Sequence, residues 1–152
     1  MRVLAVDPGV SGAYALLVDD GGVTMPIVDD LPVVGNQINA SAWRRTINSL
    51  MPDLAVVELV HSMPKQGVAS TFRFGMACGI IRGVLLGAGV PIIDVTPNTW
   101  KKYFRLNNEA EKSRALACQR FPTLLGLARK KDHNRAEALL IALWKLETDD
   151  PV

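Results

Sequence analysis

Cysteine is scarce in this sequence. The two that occur in 152 residues, Cys78 and Cys118, lie far apart, each in an apolar stretch. That excludes a disulfide framework and suits reduced thiols in the core of a cytoplasmic protein. Histidine is equally rare, with two copies, and no Cys/His spacing suggests zinc. No uninterrupted apolar run reaches the roughly 18 residues of a membrane span, so none is expected. The first segment carries Asp7 and glycines directly after its apolar run and does not read as a signal peptide. A large net charge is also missing. The total is +2, and neither an internal repeat nor an interdomain linker appears, so residues 1–152 are expected to form a single domain with one core.

What is present is unevenly placed. Between residues 100 and 135 stand ten basic residues, Lys101, Lys102, Arg105, Lys112, Arg114, Arg120, Arg129, Lys130, Lys131 and Arg135. Only Glu109, Glu111 and Asp132 oppose them, so the segment carries +7 and the remainder −5. A concentration of this kind is an electrostatic footprint for a polyanion, unless it is simply a solvated helical surface.

The pattern of elements is β-β-β-α-β-α-β-α-α-α. "RVLAV", "AYALLVD" and "VTMPIVD" read as a meander of three strands, closed by turns at Gly9–Gly12 and "DDGG". The third is expected at an edge, because Pro26 cannot donate to a ladder. "VVGNQIN" reads as loop. Ser41 is the expected N-cap of a helix to about Met51, with Trp43, Ile47 and Leu50 on one face. "LAVVELV" is short and continuously apolar, as a central strand should be. A long helix from about Ala69 to Leu86 follows, then a fifth strand, "VPIIDVT". A short helix opens at Pro97, "NEAEKSRALACQRF" forms another, and a last helix runs from near Asp132 to about Leu146. Three meandering strands followed by strands joined through helices imply an α/β fold. It is a five-stranded mixed sheet, with a three-strand antiparallel meander plus parallel strands, flanked by helices.

Four carboxylates break this pattern. Asp7 ends the first strand, where alone it would pass for a turn residue. Glu58 interrupts the central strand, and a buried glutamate needs a partner. Asp132 stands at the start of the last helix, where it could serve as an N-cap. Glu137 lies among Ala136, Ala138, Leu139 and Leu140. If the first and fourth strands are neighbours and the last helix crosses them, all four can meet. Gathered carboxylates repel one another unless a cation holds them. Hard oxygen ligands select Mg²⁺ or Mn²⁺, and two such ions suit phosphodiester cleavage.

In this arrangement the chain resembles the RuvC family of Holliday junction resolvases, within the RNase H-like (retroviral integrase) superfamily, and is most similar to its phage or prophage-type members. "VLAVDPGVSG", "LAVVELV", "GMACGIIRGVL", "TPNTWKKYF" with "EKSRA", and "DHNRAEALLIALW" carry the resemblance in family order. It implies catalytic and metal-binding roles for Asp7, Glu58 and Glu137, with two Mg²⁺ ions per site and no small-molecule cofactor. It implies phosphate contacts at Lys101, Lys102 and Lys112, to which the basic segment adds Arg105, Lys130 and Lys131. The glycine-punctuated helix is one that family members use for dimer packing, and Phe72, Met76, Ile80 and Gly83 share helical spacing on it. A homodimer also matches the symmetry of paired cuts in a four-way junction. No membrane association is implied.

Two positions depart from the family pattern. Asn134 stands three residues before Glu137, where members carry Asp or His. Asp132 is the first choice for the fourth ligand, with His133 as general base or replacement ligand. His61 stands where bacterial members carry a junction-wedging aromatic, with Phe72 and Phe74 as substitutes. The expected activity is symmetric metal-dependent hydrolysis of branched DNA in recombination and repair. The alternatives are a branched-DNA-binding protein that does not cut and, more remotely, an ATP-binding domain of the actin and sugar-kinase type, for which 152 residues are too few.

Overall fold

The computed structural model describes residues 1–149. The first strand, β1 (Arg2–Asp7), turns tightly at Pro8–Gly12 into β2 (Ala13–Asp20), and the "DDGG" turn leads into β3 (Val23–Asp30). Gly12 is required at the first turn, since a Cβ there would lie 2.1 Å from the Asp7 carbonyl oxygen, and Gly9 takes φ +134°. The segment expected as loop instead folds into a short hairpin, β4 (Val33–Val34) and β5 (Gln37–Ile38), around Gly35 at φ +59°. Two-residue strands leave too little alternation to be read from sequence.

Helix α1 (Ala40–Leu50) is capped by Asn39, whose Oδ1 accepts from the Ala42 amide at 3.1 Å, rather than by Ser41. Its inward face is Trp43, Ile47 and Leu50, as the spacing predicts. Then come β6 (Leu54–Glu58), α2 (Val68–Gly87), β7 (Ile92–Val95), α3 (Pro97–Tyr103), α4 (Ala110–Arg120) and α5 (His133–Thr148), the last preceded by a 3₁₀ turn at Lys130–Asp132.

The five-stranded sheet has the order β3-β2-β1-β6-β7. The first three strands are antiparallel, β1 is parallel to β6, and β6 is parallel to β7. Pro26 sits on the edge strand, as expected. Side chains of β1 alternate between two cores. Val3 and Ala5 face α5, α4 and Trp100 of α3, whereas Leu4 and Val6 face α1 and α2. Asp7 continues the first series. On β6, Val56 belongs to the α5 side and Val57 to the other, so Glu58 also falls on the α5 side.

Helix α2 buries only a narrow stripe, Ala77, Ile81 and Leu85. By length and composition it is apolar enough to cross a membrane. Counting uninterrupted apolar residues missed this, because Arg73 and Arg82 break the run. Both cysteines are free and only partly buried, less so than a core position implies.

Candidate active site

Register brings the first two carboxylates together. Val6 pairs with Val57 in parallel strands, so Asp7 and Glu58 leave the sheet side by side at the C-terminal ends of β1 and β6. Helix α5 packs across β1 and β2 and reaches β6, which carries Glu137 to the same place. The three are close enough to repel. Burial pushes the Asp7 carboxyl well above its ordinary range, reinforced by the charges of Glu58 and Glu137 and opposed by Lys101. Burial also raises Glu58, against a hydrogen bond from Trp100, with Glu137 raising it further and Lys101 lowering it. Both groups are therefore held at a cost in the charged form that a cation would relieve.

The protein's own groups meet part of this deficit. The Trp100 indole donates to Glu58 Oε1 at 2.8 Å. Ser113 Oγ donates to Glu137 Oε1 at 3.2 Å, and Lys101 Nζ lies 3.3 Å from the same oxygen. Lys101 also stacks over the Trp100 ring, 5.2 Å from its centroid. As placed, no three acidic, histidine or cysteine side chains among the described residues close on one point at metal-binding distance. The mutual repulsion of Asp7, Glu58 and Glu137 nonetheless marks them as one cluster. Their chemistry, three hard carboxylates with low exposure and one lysine between them, fits Mg²⁺ or Mn²⁺.

Asp132 stands apart from the other three carboxylates. It is buried at 3% exposure but turned into the 3₁₀ corner, where the Arg129 backbone N–H donates to Oδ2 at 2.8 Å and the Arg129 guanidinium to both oxygens. Arg135 stands 3.9 Å away. The Arg129 hydrogen bonds hold its pKa below the ordinary carboxylate range. A carboxylate already paired with arginine is not short of a cation. No hydrogen bond joins His133 to the cluster among the described residues. Its Nδ1 lies 3.4 Å from the Lys130 carbonyl oxygen, and it lines a hollow with Ala110, Glu111, Lys130 and Lys131.

Asn134 is the residue that reaches the Asp7 side. Its Nδ2 donates to the Ser11 carbonyl at 2.7 Å, and it shares a hollow of about 420 Å³ with Asp7, the Pro8–Gly12 turn, Gln66, Arg73 and Phe74. Phe74 packs on Gly9 at 3.6 Å from where its Cβ would stand, so this ring is a wall of the hollow. Phe72 is 67% exposed on the outer side of α2, and His61 is exposed in the segment after β6.

The basic segment divides in two. Arg114 pairs with Glu111, Arg120 with Glu147, Lys112 with Glu109, Arg129 with Asp132, and Arg135 with Asp29 and Asp30. Among the described residues, Lys102, Arg105, Lys130 and Lys131 have no carboxylate within 4.0 Å. Lys102 and Arg105 line a hollow of about 640 Å³ with Lys101, Asn98, Asn107 and Asn108. Arg105 takes φ +56°, the left-handed residue that closes α3, with its amide donating to the Lys102 carbonyl and the Leu106 amide to that of Lys101. Sequence reasoning missed Trp100 and Ser113. The signal for the first was a tryptophan within the polar run "NTWKKY", since a buried indole N–H requires a partner.

No protein-family model matches the chain. The crossover junction endodeoxyribonuclease RuvC of Nitratidesulfovibrio vulgaris strain Hildenborough is 30% identical over 123 residues, which is 74% of this chain and 71% of that protein. Among solved structures, Thermus thermophilus RuvC in complex with a Holliday junction substrate superposes with a TM-score of 0.68 at 16% identity, over 98% of this chain and 97% of that one. T. thermophilus RuvC alone gives 0.63 at 21% identity over the whole of both chains. The two structures share the fold, and the identity and coverage of the N. vulgaris relative settle the kinship. With its carboxylates at the ends of β1 and β6 and on α5, the chain belongs to the RuvC family.

Proposed function

We propose that this protein is a metal-dependent, structure-selective DNA endonuclease that resolves four-way junctions and related branched DNA by symmetric phosphodiester hydrolysis. The observation that carries this reading is the Asp7–Glu58–Glu137 cluster, in which burial and mutual repulsion leave a charge deficit that one lysine covers only in part. Asp7, Glu58 and Glu137 would hold Mg²⁺ or Mn²⁺, two ions to a site, which supply Lewis acidity and an activated water. The chain's own residues do the positioning. Lys101 lies between the carboxylates and the hollow of Lys102, Arg105, Asn98, Asn107 and Asn108, so a strand gripped there by its phosphates passes the cluster. Such contacts orient DNA without reading its sequence.

Symmetric cutting needs two centres related by a two-fold axis, and α2 supplies a face for a homodimer. Val68, Phe72, Met76 and Leu86 are exposed there. Gly75, Gly79, Gly83 and Gly87 recur every fourth residue with nothing within 4 Å of a Cβ. Gly79→Arg leaves room for the side chain in the single chain and should yield a folded monomer that nicks one strand without the paired cut. Sedimentation and a bilateral-cleavage assay check this, and a dimeric Gly79→Arg moves the interface elsewhere.

A synthetic mobile junction tests the activity. The wild type should nick it with Mg²⁺, and Asp7→Asn and Glu58→Gln should not. Cleavage by either variant at the wild-type rate refutes the assignment. Asn134, a neutral amide bonded to the Ser11 carbonyl, favours a second reading, a domain that holds junctions without cutting. Retention in a gel with no cleavage in Mg²⁺ or Mn²⁺ would select it.

A further inference from the structure

Helix α3 begins where its sheet neighbour leaves it. Val95, the last residue of β7, is paired with Glu58. Thr96 then caps α3, its Oγ1 accepting from the Thr99 amide, and Pro97 occupies the first turn. The helix direction is therefore fixed within one residue of the Glu58 partner, and Trp100 comes round one turn later against the carboxylate. Trp100 is 0% exposed, so its rotamer is set by the α5-side core. Ser113, also 0% exposed, reaches Glu137 from α4 in the same way.

The two contacts share a pattern. Each takes Oε1 of a different carboxylate, with Lys101 Nζ also 3.3 Å from Glu137 Oε1, and among the described residues no hydrogen bond is made to Oε2 of either. We infer that Trp100 and Ser113 are positioning residues, each pinning one oxygen of Glu58 or Glu137 so that the other is presented to a divalent cation. Resting on the metal-centre reading above, this assigns roles to residues that touch neither DNA nor ion. The chemistry favours it. An indole N–H donates and never accepts, and it does not titrate near working pH, so it bonds the charged carboxylate in one orientation. A ligand with one oxygen fixed has less freedom to lose when an ion binds. Partners that orient metal ligands in this way typically account for 10–100-fold in affinity.

Trp100→Phe keeps an aromatic ring in the core but removes the donor together with part of the indole, so its packing loss is read separately, from the melting temperature. The test is Mn²⁺ binding to the full-length, metal-free chain by calorimetry, alongside the Mg²⁺ dependence of junction cleavage. Trp100→Phe should weaken Mn²⁺ binding by about 10-fold and raise the Mg²⁺ midpoint by a similar factor, with cleavage recovered at saturating Mg²⁺. Ser113→Ala should shift both in the same direction by a smaller factor, and Ser113→Thr should restore them. A role in packing alone would lower the melting temperature and leave both midpoints in place. Wild-type binding with Trp100→Phe and Ser113→Ala each within about twofold of it overturns this inference alone. If Trp100→Phe does not fold, Ser113→Ala decides. A wild type without Mn²⁺ affinity, with or without a four-way junction, overturns the metal centre and this inference with it.

Discussion

Asp132 and Glu137 stand five positions apart at the start of the same helix and live in opposite electrostatic settings. Asp132 has a backbone amide, the Arg129 guanidinium and Arg135 around it, and its pKa is depressed. Glu137 shares Lys101 with Asp7 and Glu58, and in that company burial raises the pKa of the other two. Spacing alone treats both acids as ligands. What separates them is the supply of positive charge: Asp132 is met by two arginines, whereas Asp7, Glu58 and Glu137 have one lysine among them. On the proposed reading the first carboxylate is structural and the other three hold the metal.

The largest effect expected from this contrast is at Asp7. Beyond losing cleavage by more than the roughly 100-fold typical of outer partners, Asp7→Asn should make the metal-free protein more stable at neutral pH. Asp7 and Glu58 hold protons more tightly folded than unfolded. Their contribution is fully present below the ordinary carboxylate range, about pH 4, and is lost as pH rises through their raised pKa values. Asparagine at position 7 escapes that loss. In EDTA the variant should melt above the wild type, with a gap that widens from about pH 4 toward neutrality. A variant that melts lower at every pH would show that the cluster is not under strain.

Much of this was legible beforehand, and the reasons differ by element. Glu58 in "LAVVELV" and Glu137 among alanines and leucines stood out because ionised groups rarely enter apolar settings unprovided for. The mixed sheet, an antiparallel meander plus parallel strands, followed from where helices interrupt strands, whereas the placing of β1 beside β6 came only with the structure. The fate of Asp132 was hidden because it turns on a three-residue 3₁₀ corner and on arginine rotamers, neither of which leaves a periodic trace. The hairpin at residues 33–38 was too short to show alternation. Of the expected phosphate contacts, Lys101 and Lys112 meet carboxylates, and the count of +7 overstated the free charge of the segment partly because Arg120 and Arg135 pair with Glu147, Asp29 and Asp30, which are distant in sequence.

The next effect belongs to Asp132 and should be one of stability only. Asp132→Ala removes the cap of the 3₁₀ corner and leaves the Arg129 amide without its acceptor, a loss of about 1–3 kcal/mol. For a chain of this size each kcal/mol lowers the melting temperature by about 2–4 °C. The depressed pKa places the wild-type contribution above the ordinary carboxylate range and withdraws it as pH falls through the lowered value, so the gap between wild type and Asp132→Ala should close in acid. Cleavage by the folded variant should stay near the wild-type rate. Loss of cleavage as complete as in Asp7→Asn, at a temperature where Asp132→Ala is folded, would return Asp132 to the metal centre.

The smallest effect separates the two ways in which Asp132 is held. Arg129 is half-exposed, with 54% of its side chain open to solvent, and exposed ion pairs contribute roughly 0–1 kcal/mol. The Arg129 backbone N–H, by contrast, bonds Asp132 Oδ2 whatever side chain the residue carries. Arg129→Gln therefore removes the guanidinium and keeps the amide, and it should lower stability by less than about 1 kcal/mol, well short of Asp132→Ala. Thermal melts of the two variants decide the matter. Equal losses would mean that the ion pair holds the corner. Unequal losses, with Asp132→Ala the larger, would mean that the backbone amide and burial hold it and that arginine adds only the surplus charge that keeps this carboxylate from competing for a metal.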